Sequence, residues 1–228
     1  MAFEQIARVL RPDGLLLLGF AGAVDPALKS GDLVLAPRYY RPESHRIPTH
    51  SPPLEGMGEE GVSGRYLTPD PTMWRYAVEA ADGIEQTGAR VDSLTVDGLV
   101  TTPEAKKAVA RTYPVGIVEM EDYWVASVAR DAGVPFLSAR VVLDAADQTV
   151  PPYLMSLSHS RVKAYLMSAA MPWRIPTLIR LAHQVAIAQR ALAWFALNFI
   201  AKANNDRMNL SHHGAAPSGV VNVGGGPG

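Results

Sequence analysis

Leu15-Leu16-Leu17-Leu18-Gly19-Phe20 is apolar at every position. The run is far shorter than the ~20 residues a membrane span needs, and it lacks the alternation of a half-exposed strand. It reads as a strand buried on both faces, which requires covering layers on either side of a sheet. Pro12-Asp13-Gly14 supplies the turn before it. Arg8 and Arg11 ahead of the run, and Ala21-Gly22-Ala23 after it, imitate a secretory signal. The helix-breaking turn and the short apolar core favour the strand instead. Phe136 to Leu143 reads as another buried strand.

The segments between these runs carry helical signals. Ala2 to Leu10 has Phe3, Ile6, Ala7 and Leu10 on one face. Leu33 to Ala36 is a strand after the Gly31-Asp32 turn. Pro37 to Pro71 is rich in Pro, Gly and charge, and reads as a β-excursion with an irregular loop. Pro71 to Gln86 is a helix with Ala77, Ala80, Ala81 and Ile84 apolar. Val91 to Val100 contains a strand. Thr102-Pro103-Glu104 opens a helix, with Thr as cap and Pro at the first position, running to about Thr112. Gly116 to Glu119 is a short strand. Asp122 to Ala132 is a helix whose Trp124, Ala126, Val128 and Ala129 can pack. The order β-β-α-β-α-β-α-β predicts an α/β fold, a three-layer sandwich around a mixed, mostly parallel sheet.

Beyond Asp144 the character changes. Thr149 to Pro176 holds Pro151-Pro152, several Met and Tyr, and Trp173. A long helix, about Thr177 to Ala203, follows with Leu178, Leu181, Ala182, Val185, Ala188, Leu192, Phe195 and Phe199 as its buried stripe. Residues 1–203 read as a single domain. The tail from 204 to 228, rich in Asn, Gly, Pro and Ser, reads as disordered.

Composition narrows the function. The 228 residues carry a formal net charge of -1, and no Lys/Arg cluster exceeds two in a row, which argues against a nucleic-acid partner. There is no cysteine, so disulfides, thiolate metal ligands and a Cys nucleophile are excluded, and a reducing, cytoplasmic setting fits. The six histidines show no metal spacing beyond the adjacent His212-His213 pair. Ser156, Ser158 and Ser160 lack a nucleophile elbow, which removes a serine hydrolase.

In an α/β sheet, ligands bind beyond the carboxyl ends of strands. Three segments collect there. Gly19-Phe20-Ala21-Gly22-Ala23 lets backbone approach a ligand, or merely lets a helix pack. Val118-Glu119-Met120-Glu121-Asp122 stands at a strand-to-helix junction. Its carboxylates either answer the helix dipole or direct one group into the site, where it would grip a vicinal diol. Glu121 is the candidate. Arg140 to Asp147 ends a buried strand in an acid. Poor solvation would raise the Asp144 pKa and let it act as a general acid, though a turn or cap role is open too. Asp147 suits a cap better.

Together these segments resemble the nucleoside phosphorylase superfamily, above all its methylthioadenosine/adenosylhomocysteine nucleosidase-like branch. Gly19 to Val34 resembles the family's "GxAGxLdpxLkvGDvV". Val118 to Glu121 resembles "VEME". Val134-Pro135-Phe136 through Asp147 resembles "VPFxxxRxxSDxAD". The likeness covers about residues 5 to 150. It implies cleavage of a purine N-glycosidic bond by water or phosphate, through an oxocarbenium-like transition state. It implies catalytic roles for Asp144, protonating the purine at N7, and Glu121, binding the ribose hydroxyls. It implies substrate contact from Met120, Glu119, Gly19, Phe20, Ala21, Gly22 and Arg140, with the turn at Gly19 to Gly22 facing the nucleophile. It implies no metal and no cofactor, with phosphate as an alternative co-substrate, and a homo-oligomer.

The chain also departs from the pattern. The family's first strands have no counterpart, so the start is truncated or divergent, and an inactive nucleoside-binding protein is an open reading. Leu143 replaces the usual Ser before the acid. Leu17 and Phe20 stand where phosphorylases carry Arg and Ser, which tilts the expectation toward hydrolysis. Thr101-Thr102-Pro103 stand where an aromatic would stack on the base. Asp144 to Pro152 and the C-terminal helical region resemble the hopanoid-associated phosphorylases, which are thought to remove adenine from adenosylhopane. Tyr153 to Trp173 and Ala191 to Ile200 then offer apolar surface for a lipid-like substrate or for peripheral membrane contact. Core and dimer interface are the plainer reading.

Overall fold

The computed structural model describes residues 12–42, 65–82, 89–150 and 175–213. The expected Ala2–Leu10 helix, the irregular loop at 43–64 and the apolar segment at 153–173 lie outside them. The elements are β1 (Leu15–Ala23), β2 (Leu33–Leu35), β3 (Tyr39–Arg41), β4 (Arg65–Leu67), α1 (Pro71–Ala81), β5 (Ser93–Thr95), α2 (Pro103–Thr112), β6 (Ile117–Glu119), α3 (Asp122–Asp131), β7 (Phe136–Asp144) and α4 (Ile175–His213). The strands form one seven-stranded sheet in the order β2-β7-β1-β6-β5-β3-β4. It is mixed: β1/β7, β5/β6 and β3/β5 pair parallel, while β1/β6, β2/β7 and β3/β4 pair antiparallel.

β1 and β7 form the longest pairing of the sheet, β1 apolar on both sides and β7 apolar apart from Ser138, Arg140 and its terminal Asp144. They pair in register from Leu15↔Phe136 to Ala21↔Val142, and then Gly22 faces Asp144. Leu143 is the extra residue of this bulge. One inserted residue reverses the face toward which the following side chain points. Asp144 therefore shares a face with Gly22 and Val118.

Helices cover both faces. On one, α1 and α4 bury Leu33, Leu35, Leu137, Val141 and, from α4, Ala188, Leu192, Phe195 and Phe199. Farther along the same face, α2 sets Ala105 and Val109 against Leu94, Val96 and Val118. On the other, α3 sets Ala126 and Ala129 against Tyr39 and Phe136. Trp124 and Val128 do not join them; they are exposed. The buried stripe of α3 runs through Tyr123, Ala126 and Ala129 instead, and Trp124 lies under the Arg41 guanidinium at 5.2 Å.

Caps follow the sequence signals. Asp70 accepts hydrogen bonds from the Thr72 and Met73 amides, both at 2.9 Å, ahead of Pro71. Thr102 accepts one from Ala105 at 3.2 Å. α4 continues to His213, past the expected end at Ala203 and into the segment read as disordered. The ion pair Arg75–Asp206 at 2.8 Å ties this extension to α1, and Lys202–Glu79 at 3.5 Å does the same just before it.

Candidate active site

The carboxyl ends of β6 and β7 carry the charged residues, and they divide into two groups across β1. The first surrounds Arg140. Ser138, Arg140 and Val142 alternate onto the α3 face of β7, so the guanidinium is buried with its side chain 4% exposed. It meets Asp122 at 2.5 Å, Glu119 at 3.2 Å and Glu121 at 3.0 Å. Ser138 Oγ donates to Asp122 Oδ1 at 2.6 Å. Gly19 lies beneath this group. A Cβ there would overlap the Arg140 guanidinium, so the glycine is required for clearance.

Glu119 organises the helix start. Its Oε2 accepts from the Glu121 amide at 2.6 Å and the Asp122 amide at 2.7 Å, so it caps α3 from two residues before the nominal cap. Its Oε1 accepts from the Thr95 hydroxyl, which in turn accepts from the Tyr123 amide at 2.9 Å. Burial pushes Glu119 up to about 7, neighbouring Asp122 adds to this, and Arg140 opposes it. Three carboxylates on one guanidinium leave the group short of positive charge, and a proton retained on Glu119 relieves the shortfall near neutrality. Glu121 itself makes no side-chain cap. Its carboxylate is 55% exposed, and Met120 beside it is 37% exposed.

The second group lies on the α2 face. Asp144 ends β7 against Gly22, where a Cβ would stand 3.1 Å from Oδ2. The Lys106 ammonium approaches the same Oδ2 at 2.5 Å, with the lysine side chain fully buried and the aspartate 19% exposed. Lys106 also donates to the carbonyls of Ala145 at 2.6 Å and Gln148 at 3.0 Å. Burial raises the Asp144 pKa, and Lys106 pulls it back down.

Thus Glu119, Glu121 and Arg140 are brought together over Gly19, and Asp144 stands at Gly22. Three residues of β1 separate the two positions, about 10 Å at a strand's rise per residue. Gly19 to Gly22 form a strand, not the expected turn: their backbone continues the ladder with β7 as far as Gly22. The reason is steric. The two glycines give clearance to side chains crossing from β7 rather than bending the chain. Phe20 and Ala21 turn their side chains into the hydrophobic clusters. A separate cavity of about 540 Å³ opens near Asp25, Arg38, Arg90 and Tyr113, and neither Asp144 nor Glu121 lines it.

Lys106, Asp122, Thr95 and Ser138 were not singled out by sequence. Lys106 lies three residues before the buried Val109 and next to Ala105 in a helical stripe, which is a readable sign of a buried ammonium. Asp122 had the look of a first-turn carboxylate serving the helix dipole. Its burial is visible only once Arg140 is opposite it.

A three-layer α/β fold with acids gathered at strand ends defines the class of protein. Residues 1–163 match the family model described as the Phosphorylase superfamily, and the chain belongs to that family. It is 29% identical over 146 residues to the 5'-methylthioadenosine/S-adenosylhomocysteine nucleosidase of Marinomonas sp. (strain MWYL1), covering 61% of this chain and 60% of that protein. The chain thus spans about three fifths of the length of that relative. Among solved structures, it resembles the native futalosine hydrolase of Helicobacter pylori strain 26695, with TM-score 0.61 and 19% identity over 88% of this chain and 73% of the other. It also resembles the 5'-methylthioadenosine/S-adenosylhomocysteine nucleosidase of Neisseria meningitidis, solved with methylthio-immucillin-A, with TM-score 0.60 and 19% identity over 87% and 74%. These likenesses support the three-layer fold. Among the described residues, no cluster of His, Cys, Asp or Glu could hold a metal ion, and no helix is long and apolar enough to cross a membrane.

Proposed function

We propose that this chain cleaves the N-glycosidic bond of a purine nucleoside, with water as the attacking group. The observation that carries the reading is Asp144. It is a mostly buried acid with part of its surface open, at the end of a central strand, and burial raises its pKa. A purine leaves as an anion unless it gains a proton, and a carboxyl whose pKa burial has raised holds its hydrogen longer and can supply one. Glu121, exposed across β1 at the end of β6, is the ribose-binding group. To reach sugar hydroxyls it turns away from Arg140 Nη1, its only ion-pair partner among the described residues. The negative excess around Arg140 favours the positive charge that develops on the sugar.

The same excess favours water over phosphate. Arg140 is engaged by three carboxylates. A phosphate approaching it would meet their repulsion, and Leu17 and Phe20 offer no cation or hydroxyl in compensation. A substrate of the adenosylhopane type belongs to the same reaction, with a bulkier 5′ substituent.

The test is release of free base from a panel of adenine nucleosides, with and without phosphate. The expected result is release independent of phosphate. Asp144→Asn lowers kcat by about 10²–10⁴, and Glu121→Gln raises KM and lowers kcat. Release that requires phosphate overturns the choice of nucleophile. Silence with every nucleoside, or an Asp144→Asn protein as active as the parent, overturns the reading itself.

A further inference from the structure

We infer that Lys106 is a positioning residue for this reaction, acting through Asp144: ammonium and carboxyl form one unit that shares a single transferable proton, and this is the proton delivered to the departing base. The inference rests on the proposed glycosidic cleavage. Four observations support it.

Access is divided between the two partners. Lys106 is fully buried and cannot touch a ligand, whereas Asp144 keeps 19% of its side-chain surface open. Anything the lysine does to a ligand passes through the carboxyl. The hydrogen bonds also fit both placements of the proton. As an ammonium, Lys106 has three N–H groups for three oxygens: Asp144 Oδ2, the Ala145 carbonyl and the Gln148 carbonyl. As an amine it keeps two N–H groups for the two carbonyls, and its lone pair accepts from a protonated Asp144. Neither state leaves a buried donor without an acceptor. Asp144 Oδ2 has no other hydrogen-bonding partner in the described residues.

Among the described residues, the surroundings add no competing charge. Gly22 of β1 and Val118 of β6 face the carboxyl and neither titrates. Asp147 of the same turn, and Glu104 and Lys107 of α2, are exposed to solvent. Lys106 is the charged group that acts on Asp144, and burial works against it. Finally, the two carbonyl contacts fasten the Ala145–Gln148 turn to α2, fixing the direction of the acid. The turn is closed further by the Gln148 amide donating to Ala145 at 3.0 Å.

The step balances. The bond between the sugar carbon and the base nitrogen breaks, and its electron pair goes to the base. The base nitrogen takes the proton from Asp144, leaving a carboxylate beside a neutral Lys106. Water adds to the sugar carbon and releases one proton, which returns the pair to its starting state through solvent.

The test compares pH profiles of base release by the parent, Lys106→Met and Lys106→Arg, with nucleoside affinity and thermal unfolding measured alongside. In the parent, activity falls at alkaline pH when the pair loses its shared proton. In Lys106→Met a lone carboxyl must hold the proton, so the alkaline limb moves down by at least about one pH unit, a tenfold deeper loss per unit. Lys106→Arg keeps the positive charge but does not surrender a proton, so kcat falls at every pH while affinity is retained. Overturning results are an alkaline limb that stays in place in Lys106→Met, or parental kcat in Lys106→Arg. Should the variants not fold, NMR on the labelled parent decides: a coupling through the hydrogen bond between Lys106 Nζ and the Asp144 carboxyl carbon is expected, and its absence refutes the shared proton. A parent that releases no base refutes the proposed function, and the NMR coupling still judges the pair.

Discussion

The two charged groups flanking β1 each set one buried cation against carboxylates, in different proportions. Over Gly19, one guanidinium serves three carboxylates, and two of these are closed to solvent. At Gly22, one ammonium serves one carboxylate, and the carboxylate is the open partner. The first arrangement fixes architecture: it ends β6, starts α3 and seats β7 over β1. The second holds a single acid ready for exchange. A buried cluster with a charge excess resists change because every member depends on the others. A one-to-one pair with an open face can pass a proton without disturbing the fold.

Removing Arg140 should break this contrast most severely. Arg140→Met leaves Glu119 and Asp122 buried without a cation, and breaking a buried ion pair in this way costs about 3–5 kcal/mol. The urea midpoint should fall accordingly. A midpoint close to the parent's would mean that the cluster is not the structural anchor.

The two glycines sharpen the comparison. In Gly19→Ala the new methyl meets the Arg140 guanidinium, which its carboxylates hold in place, and overpacking of this kind costs about 1–3 kcal/mol. In Gly22→Ala the methyl stands 3.1 Å from Asp144 Oδ2, a distance relieved by a small turn of a partly open side chain. Gly19→Ala should therefore lower stability, while Gly22→Ala should chiefly lower kcat. Thermal unfolding and base release on both variants distinguish the outcomes; equal losses of stability would remove the distinction.

The smallest effect expected is a slope of stability with pH. Glu119 is pushed up to about 7, above its unfolded value of 4.5. Between these values the folded chain holds a proton that the unfolded chain has released. This contribution is present in full below the lower value and is lost as pH rises through the upper one. Glu119→Gln should flatten that part of the profile. An unchanged slope in chemical denaturation across this range would place the retained proton elsewhere.

Much of the fold could be read from local patterns. Leu15 to Phe20, apolar at every position, and Phe136 to Leu143, apolar but for Ser138 and Arg140, became paired interior strands. Thr102-Pro103 announced α2 at the observed residue. The extension of α4 to His213 was hidden because its support is tertiary: Asp206 finds its partner Arg75 on α1, more than a hundred residues earlier. The site was legible to a different depth. Asp144, Glu121 and Arg140 stood out as charges next to apolar strands. Lys106 and Asp122 did not, since their burial depends on partners distant in sequence. The strand conformation of Gly19 to Gly22 also escaped sequence reading, because a glycine that admits a crossing side chain and one that bends the backbone look alike.

The bulge at Leu143 has a consequence for the chain's tolerance of length change. Because one unmatched residue sets which side of the sheet the terminal acid faces, one further residue inserted after Leu143 and paired with Gly22 would turn Asp144 toward the Ala21, Ile117 and Val142 cluster, away from its ammonium, while leaving every residue type in place. The orientation of the acid is thus encoded by parity, a property that composition and residue identity alone do not reveal.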